Sequence, residues 1–88
     1  MNPIHYSSPA EIYVANGMKG KRNNMAYRRF PTAAEAIRFI IEDLSHARQV
    51  GSVMEVNERR HYHKEIRALY DDEAYPLPRQ GEEVTDAA

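Results

Sequence analysis

Thr32-Ala33-Ala34-Glu35-Ala36-Ile37-Arg38-Phe39-Ile40-Ile41-Glu42-Asp43-Leu44 decides the fold, because this stretch both starts and propagates a helix on local grounds. The Thr32 hydroxyl oxygen can accept from the Glu35 N–H, and the Glu35 carboxylate can reach back to Thr32, which makes a capping box. Pro31 keeps Phe30 extended ahead of the cap. Ala33, Ala36, Ile37, Ile40, Ile41 and Leu44 then recur at three- and four-residue spacing as one apolar stripe. The helix is expected to run to Ser45–Arg48, before Gly51, with that stripe on a sheet or another helix.

Upstream, Glu11–Ala15 and Met25–Phe30 carry the β-branched and aromatic bias of strands, and alternation puts Ile12 and Val14 on one face. Residues 16–24 between them are rich in Gly and Asn and read as a long hairpin loop. Ile4–Tyr6 is read as a short edge strand. Downstream, Ser52–Val56 is a third strand, and Arg59–His63, after a turn at Asn57-Glu58, a fourth. Ile66, Leu69 and Tyr70 mark a second helix. Its acidic end, Asp71-Asp72-Glu73, opposes the helix dipole, so the helix should stop near Tyr70, with Asp71 or Asp72 capping a further turn. Pro76 and Pro78 hold the next segment extended, able to dock in a groove. The expected fold is therefore a small two-layer α+β domain, ββαββα or ββαβα. It has an antiparallel three- to four-stranded sheet and two helices on one face, over residues 1–78, with a disordered acidic tail at 79–88.

Composition bounds the function. In 88 residues, 42% hydrophobic and 28% charged side chains suit one small globular domain. The longest strongly apolar run, Phe39-Ile40-Ile41, is far below the ~20 residues of a membrane span. The N-terminus lacks the pattern of a secretory signal, and the absence of cysteine excludes disulfide and thiolate chemistry, which together fit a cytoplasmic protein. Charge is segregated. Lys19, Lys21, Arg22, Arg28 and Arg29 against Glu11 leave residues 1–31 at +4, whereas six acids against Arg79 leave residues 71–88 at −5.

Two surfaces stand out. Lys19, Lys21, Arg22, Arg28 and Arg29 could grip phosphates while Tyr27 stacks on a base, a polyanion site on a basic hairpin. Phe39 falls about 200° from Ile37 on a helical wheel, among Glu35, Glu42 and His46, which is the make-up of a protein interface with an aromatic anchor. His61 and His63 alternate on the fourth strand, but no spacing selects a third ligand, so no metal or cofactor is assigned. Adjacent Ser45-His46, Glu42-Asp43 and Asp71-Asp72 have the wrong geometry for a triad or a carboxylate pair. The expected function is a non-enzymatic protein-binding or self-associating module, with nucleic-acid or other polyanion binding through residues 17–29 as the alternative.

Overall fold

The computed structural model describes residues 5–15 and 25–79. Residues 1–4, the 16–24 connection with Lys19, Lys21 and Arg22, and the acidic tail from residue 80 lie outside the described residues. Strands β1 (Ala10–Ala15), β2 (Met25–Phe30), β3 (Ser52–Val56) and β4 (Arg59–Tyr62) form one antiparallel sheet in the order β2-β1-β3-β4. Helix α1 (Ala33–Arg38) continues as a π-helical segment (Phe39–Asp43), followed by α2 (His46–Val50) and α3 (His63–Asp71). The expected small α+β domain is what forms, with four strands and helices on one face.

Alternation sorts the sheet into two faces. Ala10, Ile12 and Val14 of β1 and Ser52, Met54 and Val56 of β3 are all buried under the helices, where they meet Ile37, Ile40 and Ile66. Ile12, Ile37, Ile40, Met54 and Ile66 are fully enclosed, and each such side chain contributes roughly 1.5–3 kcal/mol by leaving water.

Only half of the capping box is made: the Thr32 hydroxyl accepts from Glu35 N at 3.2 Å. The other free N–H groups of α1 are met by the chain preceding β1. Ala33 N donates to Ser8 O at 2.6 Å and Ala34 N to Tyr6 O at 3.0 Å. Residues 6–8 form a turn whose carbonyls serve the helix start, so no edge strand forms at His5 and Tyr6 of the expected Ile4–Tyr6, and Ile4 lies outside the described residues.

The long helix expected to reach Ser45–Arg48 is also interrupted. Leu44 adopts an extended conformation, and Ser45 caps α2 by accepting from Arg48 N at 3.4 Å. Gln49 makes the break tolerable, since its buried side-chain amide donates to the Ile41 and Leu44 carbonyls at 3.1 and 3.0 Å. Ser52 Oγ donates to Gln49 O at 2.7 Å and leads the chain into β3.

Helix α3 stops where its charges require. Asp72 leaves the helix in an extended conformation, its Oδ1 accepting from Ala74 N at 2.8 Å. The conflict between the acids and the dipole is resolved by Arg79, which donates from Nε to Tyr70 O at 2.7 Å and from Nη2 to Asp72 O at 2.6 Å. That places a guanidinium at the negative end of α3. The proline-containing segment thus docks on its own chain, with Tyr75 buried and its hydroxyl donating to Ala34 O at 2.8 Å.

Candidate functional site

The sheet face opposite the helices is uncovered among the described residues. Cross-strand register assembles two full rows on it. Arg29 pairs with Glu11, Glu11 with Glu55 and Glu55 with Arg60, giving a charged row in the order plus, minus, minus, plus. Two residues further along each strand, Tyr27, Tyr13, Val53 and Tyr62 form an aromatic and apolar row.

Tyr27 and Tyr62 are 54% and 56% exposed, and Tyr13 and Val53 between them are half-buried. The Tyr13 and Tyr27 rings lie 5.2 Å apart at 51°, a tilted pair that fixes both side chains. The Tyr27 hydroxyl donates to Glu11 Oε2 at 2.9 Å. Bonding to that carboxylate raises the Tyr27 pKa above the ordinary tyrosine value, with desolvation a lesser cause. Arg29 and Arg60 make no ion pair among the described residues, so both guanidiniums are available beside the tyrosines. A shallow cavity of about 240 Å³ continues the face past the charged row and is lined by Pro9, Ala10, Asn57 and Glu58 together with Glu11, Arg29 and Glu55.

The structure divides the residues that the sequence groups. Tyr27 and Arg29 face the open side, but Arg28 points to the helix side. There its guanidinium lies over Phe30 at 5.2 Å and over Phe39 at 4.8 Å. Phe39 is half-buried, with its ring 5.5 Å from that of Phe30, so β2 covers part of it. Of its expected companions, Glu35 lies one turn before it in α1 and Glu42 in the same π-helical segment, where it accepts from the Tyr70 hydroxyl at 2.6 Å, but His46 lies beyond the helix break.

The two histidines expected on one strand face are also separated. Strand β4 ends at Tyr62 and His63 begins α3, with its ring 5.6 Å from that of His46. His61 is buried opposite Met54, and its Nδ1 lies 2.9 Å from Glu65 Oε2 without hydrogen-bond alignment.

Tyr13, Val53, Arg60 and Tyr62 were not singled out by sequence reading. The signal was present for Tyr13, since a face holding Ile12 and Val14 leaves Glu11 and Tyr13 on the other. What no single strand reveals is that β1 and β3 are neighbours, and that pairing joins the two halves of each row.

The fold and this face define a class: a two-layer α+β domain whose second sheet face, uncovered among the described residues, is lined with tyrosine and arginine. No family model matches the chain, and neither a curated protein nor a solved structure does.

Proposed function

We propose that the chain is a non-enzymatic protein-binding module that docks its partner on the helix-free sheet face. The observation that carries this reading is the row Tyr27–Tyr13–Val53–Tyr62, set beside four charges that cancel. Tyrosine and arginine are enriched in protein interfaces, where they give contact area with few rotatable bonds. The face is broad and shallow, unlike the concave, water-excluding sites of small-molecule chemistry. A cytoplasmic location agrees with the absence of cysteine.

The test is a photo-crosslinking amino acid at position 62, compared with the same group at position 59, in cells that make the full chain. Arg59 is exposed on the same strand but is paired with buried Val56, which puts it on the other side of the sheet. A protein adduct of defined mass is expected from position 62 only. Equal adducts from both positions, or none from 62, would reject the reading.

Polyanion binding is the second reading. The Tyr13–Tyr27 pair that favours it lies near the strand ends joined by residues 16–24, with Lys19, Lys21 and Arg22. Glu11 and Glu55 at the centre of the face oppose a phosphate backbone. Amide shifts on β1 and β2 upon adding a short single-stranded oligonucleotide at low salt, weakening steeply as salt is raised, would favour this reading over the first.

A further inference from the structure

Resting on the protein-binding reading, we infer that the occupant of the open face is a second copy of this chain. The partner copy is packed face to face, with the twofold axis running across the strands. The charge pattern selects this arrangement. Isologous packing of two sheet faces needs a twofold axis parallel to the sheets, and aligned packing puts that axis close to the strand direction or close to perpendicular to it.

An axis along the strands through the middle of the sheet, the placement with full overlap, lays β2 over the partner's β4 and β1 over its β3. Arg29 would then meet an arginine and Glu11 a glutamate, four like-charge encounters in all. An axis across the strands, placed between the two rows, lays each strand over its own copy and the charged row of one protomer over the aromatic row of the other. Arg29 then covers a Tyr27 ring and Arg60 a Tyr62 ring, each twice by symmetry, and Glu11 meets a Tyr13 hydroxyl. Guanidiniums prefer aromatic faces and phenols donate to carboxylates, so three of the four facing pairs are matched, and Glu55 over Val53 is the unmatched one.

Arg29 and Arg60 are free for this role, being in no ion pair among the described residues. The face carries no net charge to drive copies apart. Its size sets the strength. Four strands at ideal spacing and about five residues along each give a footprint of roughly 19 by 17 Å. That is well below the ~800 Å² per partner of a standard interface, which places the dimer in the weak, transient class.

Sedimentation velocity on the full chain from about 10 µM to 1 mM tests this. The average mass is expected to rise above the 10.2 kDa monomer over that range. A Tyr27→Ala/Tyr62→Ala variant should weaken association at least tenfold, while Arg59→Glu, on the other side of β4, leaves it unchanged. The decisive variant is Arg60→Glu. It weakens a dimer with the axis across the strands and strengthens one with the axis along them, where the new carboxylate would lie under Arg29.

A wild type that stays monomeric to 1 mM overturns the second copy as occupant. So does a dimer indifferent to the double tyrosine variant, or one strengthened by Arg60→Glu. The crosslink at position 62 tells this failure from failure of the broader reading. An adduct to a different chain keeps the docking face, and no adduct at all removes both.

Discussion

Gln49 is 8% exposed, and its amide supplies two hydrogen bonds that the backbone cannot. Where the π-helical segment ends, the Ile41 and Leu44 carbonyls have lost their place in a regular helix, and burial denies them water. Replacing Gln49 with Leu keeps much of the volume and removes both donors. A buried acceptor left without a partner costs about 1–3 kcal/mol, so Gln49→Leu should destabilise by about that much. Gln49→Glu should cost at least as much, because a carboxylate cannot donate to a carbonyl. Urea unfolding would measure both, and a Gln49→Leu variant as stable as the wild type would show that the break is held by packing alone. Nothing local marks Gln49 in the sequence. Its partners lie five and eight residues back, across a helix break that the unbroken stripe Ile37, Ile40, Ile41, Leu44 conceals.

Among the elements, the β3–β4 hairpin stores the clearest backbone strain. Its two-residue turn puts Asn57 at φ 53° and Glu58 at φ 68°, the left-handed geometry that matches strand twist. Asn tolerates that region, whereas Glu pays roughly 1 kcal/mol for its Cβ there. Glu58→Gly removes the clash and loses much of the gain to unfolded-state entropy, so it should stabilise by up to about 0.5 kcal/mol. Thermal denaturation would read this as a rise of a few degrees, and a lower midpoint would mean that the Glu58 carboxylate holds the turn in another way. This hairpin was legible from Val53-Met54-Glu55-Val56 and Asn57, as was α1 from Thr32 and its stripe, because both signals are local. The binding face was only half legible. Tyr27 and Arg29 are visible as a cluster, but nothing local tells Arg28 apart from them, and a helical wheel cannot show that Phe30 and Arg28 pack on Phe39. Those placements depend on which strands adjoin, a property of the whole sheet.

At the scale of the molecule, the segment before β1 and the segment after α3 are fastened through tyrosines, which makes the fold sensitive to alkali. Tyr6 donates its hydroxyl to Leu69 O at 3.1 Å, its ring meets Tyr75 edge-on at 5.8 Å, and Tyr75 in turn lies 5.2 Å from Tyr70. Arg79 spans the cluster, 5.6 Å from the Tyr70 ring and 5.3 Å from that of Tyr75. Burial pushes the Tyr75 hydroxyl well above the usual tyrosine range, with Glu42 and Tyr70 adding to the rise and Arg38 and Arg79 opposing it. Tyr6 is raised in the same direction, by burial and then by the Asp72 charge. Since the unfolded chain ionises first, near pH 10, the contribution of these hydroxyls is complete below that pH. Above it the unfolded state binds fewer protons than the folded one, and stability falls with each further rise in pH. Unfolding free energy should therefore be level from about pH 8 to 9 and decline beyond pH 10. Tyr75→Phe separates this cause from lysine titration: it should cost about 1 kcal/mol at neutral pH through the lost bond to Ala34 O and make the alkaline decline shallower. Urea titrations at a series of pH values would show the two curves converging above pH 10. Parallel curves would place the alkaline weakness outside the cluster that ties the N-terminal turn, α1, α3 and the proline segment into one body.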